Sequence, residues 1–275
     1  MQRTLFSIIM VCLNPGDKLK ESFESVKTQT FRDFEVIIKD GGSKDGALGR
    51  LVDEEQEMLK SPISPCLKVV SKKDNGIYDA MNQAVALAQG EYILFLNCGD
   101  KLFDVKTLEK IAGVIKERPD CGIYYGDTFC EKTKDLVAAP RKITGFTCYR
   151  NIPCHQACFY HRDLLEGEVF NTDYKIRADY DHFLRCFYKN GATPYYAGIT
   201  VASYEGGGYS ENKKNRNRDR IEHEIITSEY MSKYNLLKYK IVMVLTLAPV
   251  RRFIAETSFL SGIYQWVKRF LYGKK

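Results

Sequence analysis

Over the first 125 residues the apolar positions follow two alternating patterns. Phe6–Leu13, Phe34–Lys39, Leu67–Ser71, Tyr92–Leu96 and Ile123–Tyr125 are short, mostly apolar runs of the length expected for buried strands. Between them, Asp17–Thr28 carries Leu19, Phe23 and Val26 at helical spacing, with a cap expected at Asn14 or Asp17. Ala47–Lys60, Gly76–Ala88 and Thr107–Lys116 read as further helices. This alternation predicts an α/β fold, with a mostly parallel central sheet and flanking helices. After Asp127 the pattern loosens. A hairpin within Asp127–Ala138, a strand at Ala157–Tyr160, a helix at Asp179–Asn190 and a strand near Tyr195–Ala202 are expected there. From Met231 the chain turns basic and apolar, so the expected boundary separates a body, 1–230, from a tail, 231–275.

Composition changes this picture little, but charge placement does. The 275 residues carry a net charge of +6. Residues 231–275 hold nine Lys/Arg against Glu256 alone, or +8, which leaves −2 for residues 1–230. A basic tail on a slightly acidic body argues against a nucleic-acid groove and for an anionic surface near the tail. Leu5–Leu13 matches a signal-peptide core in length, but no small-residue cleavage site follows, and a first buried strand fits better. The nine cysteines are odd in number and scattered, which suits a reducing compartment.

The most informative stretch is Ser71–Asp100, SKKDNGIYDAMNQAVALAQGEYILFLNCGD. It reads as a loop, a helix, a turn at Gly90, and a buried strand that ends abruptly in Asn97-Cys98-Gly99-Asp100. Open α/β sheets bind ligands outside the carboxyl ends of their strands, and an acid there can hold a divalent metal. Taken alone, Asn-Cys-Gly-Asp is better explained by a solvated turn. The whole run, however, resembles the family 2 glycosyltransferases, and within them the bacterial polysaccharide and lipopolysaccharide branch. The resemblance extends over roughly residues 5–230, wider than an ordinary single domain. It implies a GT-A nucleotide-diphospho-sugar transferase fold with a Rossmann-like nucleotide half.

The resemblance also implies roles for particular residues. Asp40, at the end of a strand and followed by Gly41-Gly42-Ser43, matches the nucleotide-base motif, and Gly41 lets the backbone approach the nucleotide. Turn formation explains Asp40 about equally well. Asp74 and Asn82 are expected to face the nucleotide, while Asp79 is a good helix cap. Asn97-Cys98-Gly99-Asp100 stands at the metal motif, where Asp100 is the sole acid and implies Mg²⁺ or Mn²⁺. Asn97 would bond the ribose or a metal-bound water. His155, in Asn151-Ile152-Pro153-Cys154-His155-Gln156, would contact the sugar, the diphosphate or the metal. A zinc site with Cys154, Cys158 and His161 is disfavoured by its cramped spacing. Asp179 falls on the catalytic-base position, with helix capping as the competing explanation and Asp181 as the fallback base. Glu205-Gly206-Gly207-Gly208-Tyr209-Ser210, with the basic residues after it, matches a loop that closes over the diphosphate.

The expected activity is therefore inverting, metal-dependent transfer from a nucleotide sugar, UDP-sugar foremost, to a glycan or lipid-linked acceptor in cell-surface polysaccharide synthesis. The alternative is a non-catalytic nucleotide-sugar binder or scaffold of the same fold. A nicotinamide oxidoreductase would need GxGxxG after the first strand, where this chain has Asn14-Pro15-Gly16. Leu236–Val250 is too short to span a bilayer, while Phe253, Leu260, Ile263, Val267, Phe270 and Leu271 follow helical spacing among basic residues and Trp266. The expected location is cytoplasmic, peripheral on the inner membrane, and an oligomer is compatible with the sequence.

Overall fold

Continuous burial on both faces is what turns the apolar runs into strands. In the computed structural model, every residue of β1 (Phe6–Cys12), β2 (Phe34–Asp40) and β4 (Tyr92–Phe95) is buried. Strands covered on both faces have no need of polar alternation. The described residues are 4–61, 64–206 and 215–245. The elements that follow β1 in turn are α1 (Lys18–Lys27), β2, α2 (Ala47–Glu54), α3 (Gln56–Lys60), β3 (Cys66–Ser71) and α4 (Ile77–Val85). After them come β4, β5 (Lys101–Leu102), α5 (Thr107–Glu117), β6 (Ile123–Cys130), β7 (Asp135–Val137) and α6 (Gly145–Arg150). The order closes with β8 (Cys158–His161), α7 (Ala178–Tyr188), β9 (Pro194–Tyr204), α8 (Arg216–Tyr230) and α9 (Lys233–Leu245).

The sheet runs β3-β2-β1-β4-β8-β6-β9-β5, with β7 beside β6. Its first half is parallel, with Cys12 in register with Asp40 and Asp40 with Ser71. The second half is mixed, because β8 runs antiparallel to both β4 and β6. The carboxyl ends of β1, β2, β3 and β4 thus open on the same edge, where the Asp40, Asp74 and Asn97–Asp100 segments leave the sheet.

Buried polar groups lock this frame. Glu35 of β2 is buried, accepts from Ser7 Oγ (2.5 Å) and Gln89 N (2.5 Å), and pairs with Lys68 (2.7 Å). Gly90 packs so closely that a Cβ there would lie 2.5 Å from Ser7 N. The single helix expected over Ala47–Lys60 is instead two helices, α2 and α3. The break falls at Glu55, whose backbone leaves the helical region (φ −110°, ψ 30°) and whose buried carboxylate pairs with Lys27 at 2.5 Å.

The chain divides into two compact units, residues 1–226 and 227–275. In the second unit α9 exposes Tyr234, Leu237, Ile241, Val244 and Leu245, at helical spacing along one stripe. No helix among the described residues is long and apolar enough to cross a membrane.

Candidate active site

The loops at the carboxyl edge of the sheet are built from charges that satisfy one another. Lys39, the penultimate residue of β2, is fully buried. Its ammonium donates to the carbonyls of Asp40 (2.9 Å) and Lys72 (2.5 Å) and to Asp74 Oδ2 (2.9 Å). Asp74 Oδ1 in turn accepts from Gly76 N at 3.1 Å. A Cβ on Gly41 would meet Asp74 Oδ2 at 2.9 Å and Leu13 Cδ1 at 3.3 Å, so a larger residue would have to displace the Asp74 carboxylate from its place against these loops. Leu13, at the end of β1, is 62% exposed above them and offers an apolar surface.

Asp40 is buried and its acceptor capacity is filled. Its carboxylate takes the N–H groups of Gly42 (3.0 Å) and Ser43 (3.0 Å) and the hydroxyls of Ser43 and Ser71 (2.6 Å to Ser71), with Cys12 Sγ 3.8 Å away. A carboxylate has about four lone-pair sites, and these bonds use them. Burial alone would raise the Asp40 pKa, but the Ser43 and Ser71 bonds outweigh it and lower it. Asp40, expected to meet the nucleotide base, spends its carboxylate here on the Gly42-Ser43 turn and on Ser71. Asn82, likewise expected to face the nucleotide, is engaged within the chain. Its amide donates to Phe170 O (2.8 Å) and accepts from Phe170 N (2.9 Å), which ties α4 to the segment ahead of α7. Asp79, in the first turn of α4, accepts from Asn75 N at 2.8 Å, while Gly76 takes the N-cap position of α4.

The acids with capacity to spare lie at the end of β4 and the start of α7. Asp100 has no side-chain hydrogen bond among the described residues, and burial pushes its carboxyl up to about 6, against the opposing charge of His155. Asn97 Oδ1 is buried without a partner. Asn97 Nδ2 lies 3.1 Å from His155 Nε2, and His155 Nδ1 lies 3.3 Å from Asp179 Oδ2. An N–H on Nδ1 facing the carboxylate leaves Nε2 to accept from Asn97. Asp179 Oδ1 lies 3.1 Å from the Tyr78 hydroxyl.

The structure thus brings Asn97, Asp100, His155 and Asp179 together. Asp179 is not the cap of α7, because Arg177 takes the N-cap position. Its side chain is instead turned to His155, and both side chains are 23% exposed. Burial would raise the Asp179 pKa, but the His155 bond and charge win and keep the carboxylate ionised at neutral pH. His155 shows the reciprocal effect: burial opposes protonation, and the Asp179 and Asp100 charges raise its pKa overall. Asp181, the fallback base, is buried in the body.

No group of three or more His, Cys, Asp or Glu able to hold a metal is present among the described residues. The donor set on offer is the Asp100 carboxylate and the unpartnered Asn97 oxygen. Such a set fits Mg²⁺ or Mn²⁺ that draws its other ligands from phosphate and water, and it does not fit zinc.

A family model, glycosyl transferase family 2, matches residues 7–165. The chain belongs to this family. It is 35% identical over 213 residues to the PGL/p-HBAD biosynthesis glycosyltransferase of Mycobacterium bovis (strain BCG / Pasteur 1173P2), covering 76% of this chain and 80% of that one. Among solved structures it resembles S. aureus TarS 1–349 in complex with UDP-GlcNAc, with a TM-score of 0.60, 17% identity, and coverage of 92% of this chain and 67% of that one. It also resembles the mannosyltransferase PcManGT from Pyrobaculum calidifontis in complex with GDP-Man and Mn²⁺, with a TM-score of 0.62, 16% identity, and coverage of 100% and 89%. The GT-A fold of this family 2 chain follows from these structural likenesses, and the Mycobacterium relative is by name a biosynthesis glycosyltransferase.

Sequence reasoning missed three residues. Lys39 carries a weak signal, a lysine inside an apolar strand directly before Asp40. Tyr78 lies inside the recognised run, but nothing in that run indicates its partner. Glu222 carries no local signal, because the groups it holds lie 45 to 47 residues earlier. Of the Gly-rich loop, Glu205 pairs with Lys18 at 2.6 Å, while residues 207–214 lie outside the described residues, as does the tail after 245.

Proposed function

We propose that this family 2 enzyme is an inverting transferase that moves a sugar from a nucleotide-diphosphate donor, UDP-sugar foremost, to a hydroxyl of a glycan or lipid-linked acceptor. The observation that carries this reading is Asp179, an ionised and partly exposed carboxylate joined through His155 to the Asn97–Asp100 turn. The acceptor oxygen attacks the anomeric carbon from the Asp179 side and its proton passes to Asp179. The bond from that carbon to the phosphate oxygen breaks, and its electron pair leaves with the nucleoside diphosphate. Mg²⁺ or Mn²⁺, when bound, supplies charge neutralisation for the diphosphate. Asp100 and the Asn97 oxygen would hold it, and His155 keeps the base and the turn in one hydrogen-bonded array. Gly41, Asp74 and Leu13 form the wall against which the nucleotide lies, with Asp40 and Lys39 beneath them. The UDP preference draws on the UDP-GlcNAc complex of the TarS neighbour, and the metal on the Mn²⁺ complex of PcManGT.

The α9 stripe, with Lys233, Lys238 and Lys240 on the same helix and the +8 of residues 231–275, supports a peripheral site on an anionic membrane surface, where lipid-linked acceptors reside. The test of the transferase reading is release of nucleoside diphosphate from a panel of nucleotide sugars with Mn²⁺, by wild type and Asp179→Asn. Loss of about 10²–10⁴-fold in rate with donor affinity retained is expected for a missing general base. A wild type that binds a donor but never turns it over would favour the non-catalytic binder.

A further inference from the structure

The segment that delivers Asp179 is gripped from two sides. The N–H groups of Lys175, Ile176 and Arg177 donate to the buried Glu222 carboxylate of α8 at 2.9, 3.0 and 2.9 Å. The Ile176 carbonyl accepts from the Tyr78 hydroxyl of α4 at 2.6 Å. The same hydroxyl oxygen lies 3.1 Å from Asp179 Oδ1. The Tyr78 ring packs on Phe170, with centroids 5.7 Å apart, and Phe170 is the residue whose backbone Asn82 holds. A phenol has one proton to donate, so Ile176 O and Asp179 Oδ1 share it.

We propose that Tyr78 is a positioning residue for the transfer, its single O–H divided between the Ile176 carbonyl and the Asp179 carboxylate so that the base is held in place while it is charged and let go when it is protonated. This rests on Asp179 being the base. Before transfer the hydroxyl fixes Oδ1, as His155 fixes Oδ2. Once Asp179 has taken the acceptor's proton it needs a donor less, and the Tyr78 O–H turns wholly to Ile176 O. Neither the Tyr78 hydroxyl nor the Ile176 carbonyl is left unpaired in either state, which would otherwise be costly. Tyr78 gives up no proton itself: burial, then the Asp179 charge, hold its phenol well above the ordinary range.

Tyr78→Phe in the full-length chain removes that O–H and preserves the ring. A donor to a carboxylate favours its charged form, so its loss should move the acid limb of the kcat–pH profile, which reports the base in the donor complex, to higher pH. That limb should move up by about 0.5–1 pH unit in Tyr78→Phe, the range of one modest hydrogen bond. With the nucleotide sugar that the wild type turns over, kcat should fall about 10–100-fold while the donor KM changes less than about twofold, because only the proton-transfer geometry is disturbed. Glu222→Gln loosens the same backbone without touching Asp179. It should lower kcat but leave the acid limb in place. An unmoved limb and kcat in Tyr78→Phe would overturn the proposal, as would an equal shift of the limb in Glu222→Gln. Asp179→Asn separates the two levels: near-normal turnover there removes the base reading itself. A dead Asp179→Asn beside a wild-type-like Tyr78→Phe removes only the role of Tyr78.

Discussion

Asp100 is expected to cost the protein stability, and removing its charge should reveal how much. Its carboxyl is raised from an ordinary value of 3.8 to about 6 by burial, with no donor among the described residues to offset it. A folded-state value above the unfolded one means the native state binds the proton more tightly. Ionisation therefore weakens the fold, fully above about pH 6 and not at all below about pH 4. The span from 3.8 to about 6 corresponds to about 3 kcal/mol at pH 7, at roughly 1.4 kcal/mol per pH unit. Solvent reaching the partly exposed turn reduces this, to about 1–3 kcal/mol. Asp100→Asn keeps the shape and removes the charge, so at pH 7 it should raise the melting temperature by roughly 2–10 °C. Thermal unfolding followed by circular dichroism from pH 4 to pH 8 is the assay. The gain should be complete at pH 7, shrink between pH 6 and pH 4, and vanish below. Mn²⁺ with UDP should raise the melting temperature of the wild type and leave that of Asp100→Asn nearly unchanged, since ligand stabilisation follows affinity. A variant no more stable than wild type at pH 7, or a gain that ignores pH, would refute the reasoning. Such a result would mean that a donor reaches Asp100 in solution.

Lys39→Met should destabilise by about 3–5 kcal/mol in urea unfolding, because it strands the Asp74 carboxylate and two carbonyls around a buried site; a loss under about 1 kcal/mol would show that water replaces the ammonium. Asn82→Ala should cost about 1–3 kcal/mol by leaving both Phe170 backbone groups unpaired, with calorimetric affinity for UDP little changed; a selective loss of UDP binding would instead place Asn82 against the nucleotide. Leu237→Glu with Ile241→Glu in the full-length chain should release it from vesicles containing phosphatidylglycerol, since the pair interrupts the exposed α9 stripe. Equal flotation of this variant and wild type would remove α9 from membrane binding.

Much of the fold was legible because it depends on local rules. Phe6–Cys12, Phe34–Asp40 and Tyr92–Phe95 are apolar on both faces, and nothing but a doubly covered strand buries such runs. The Ser71–Asp100 run also pointed to the family and to Asn97 and Asp100, and later motifs pointed to His155 and Asp179. Roles set by which group reaches a side chain first were not legible. Asp40 and Asn82 look like ligand contacts in sequence, yet their polar atoms are taken by Ser43, Ser71 and Phe170. The expected single helix breaks at Glu55, where the buried carboxylate pairs with Lys27, 28 residues away.

The sequence by itself determined the main alternation of strands and helices over the first 125 residues, the family, and the acids placed at strand and helix ends, because each of these follows from residues within about a turn or a strand of one another. Only the tertiary structure decided which of those acids are free. Whether a carboxylate is available to a ligand depends on donors brought from distant segments: Tyr78 and His155 to Asp179, Lys39 to Asp74, and none among the described residues to Asp100. Hydrogen bonds act over about 3 Å, and chain spacing does not encode which partner will lie within that reach.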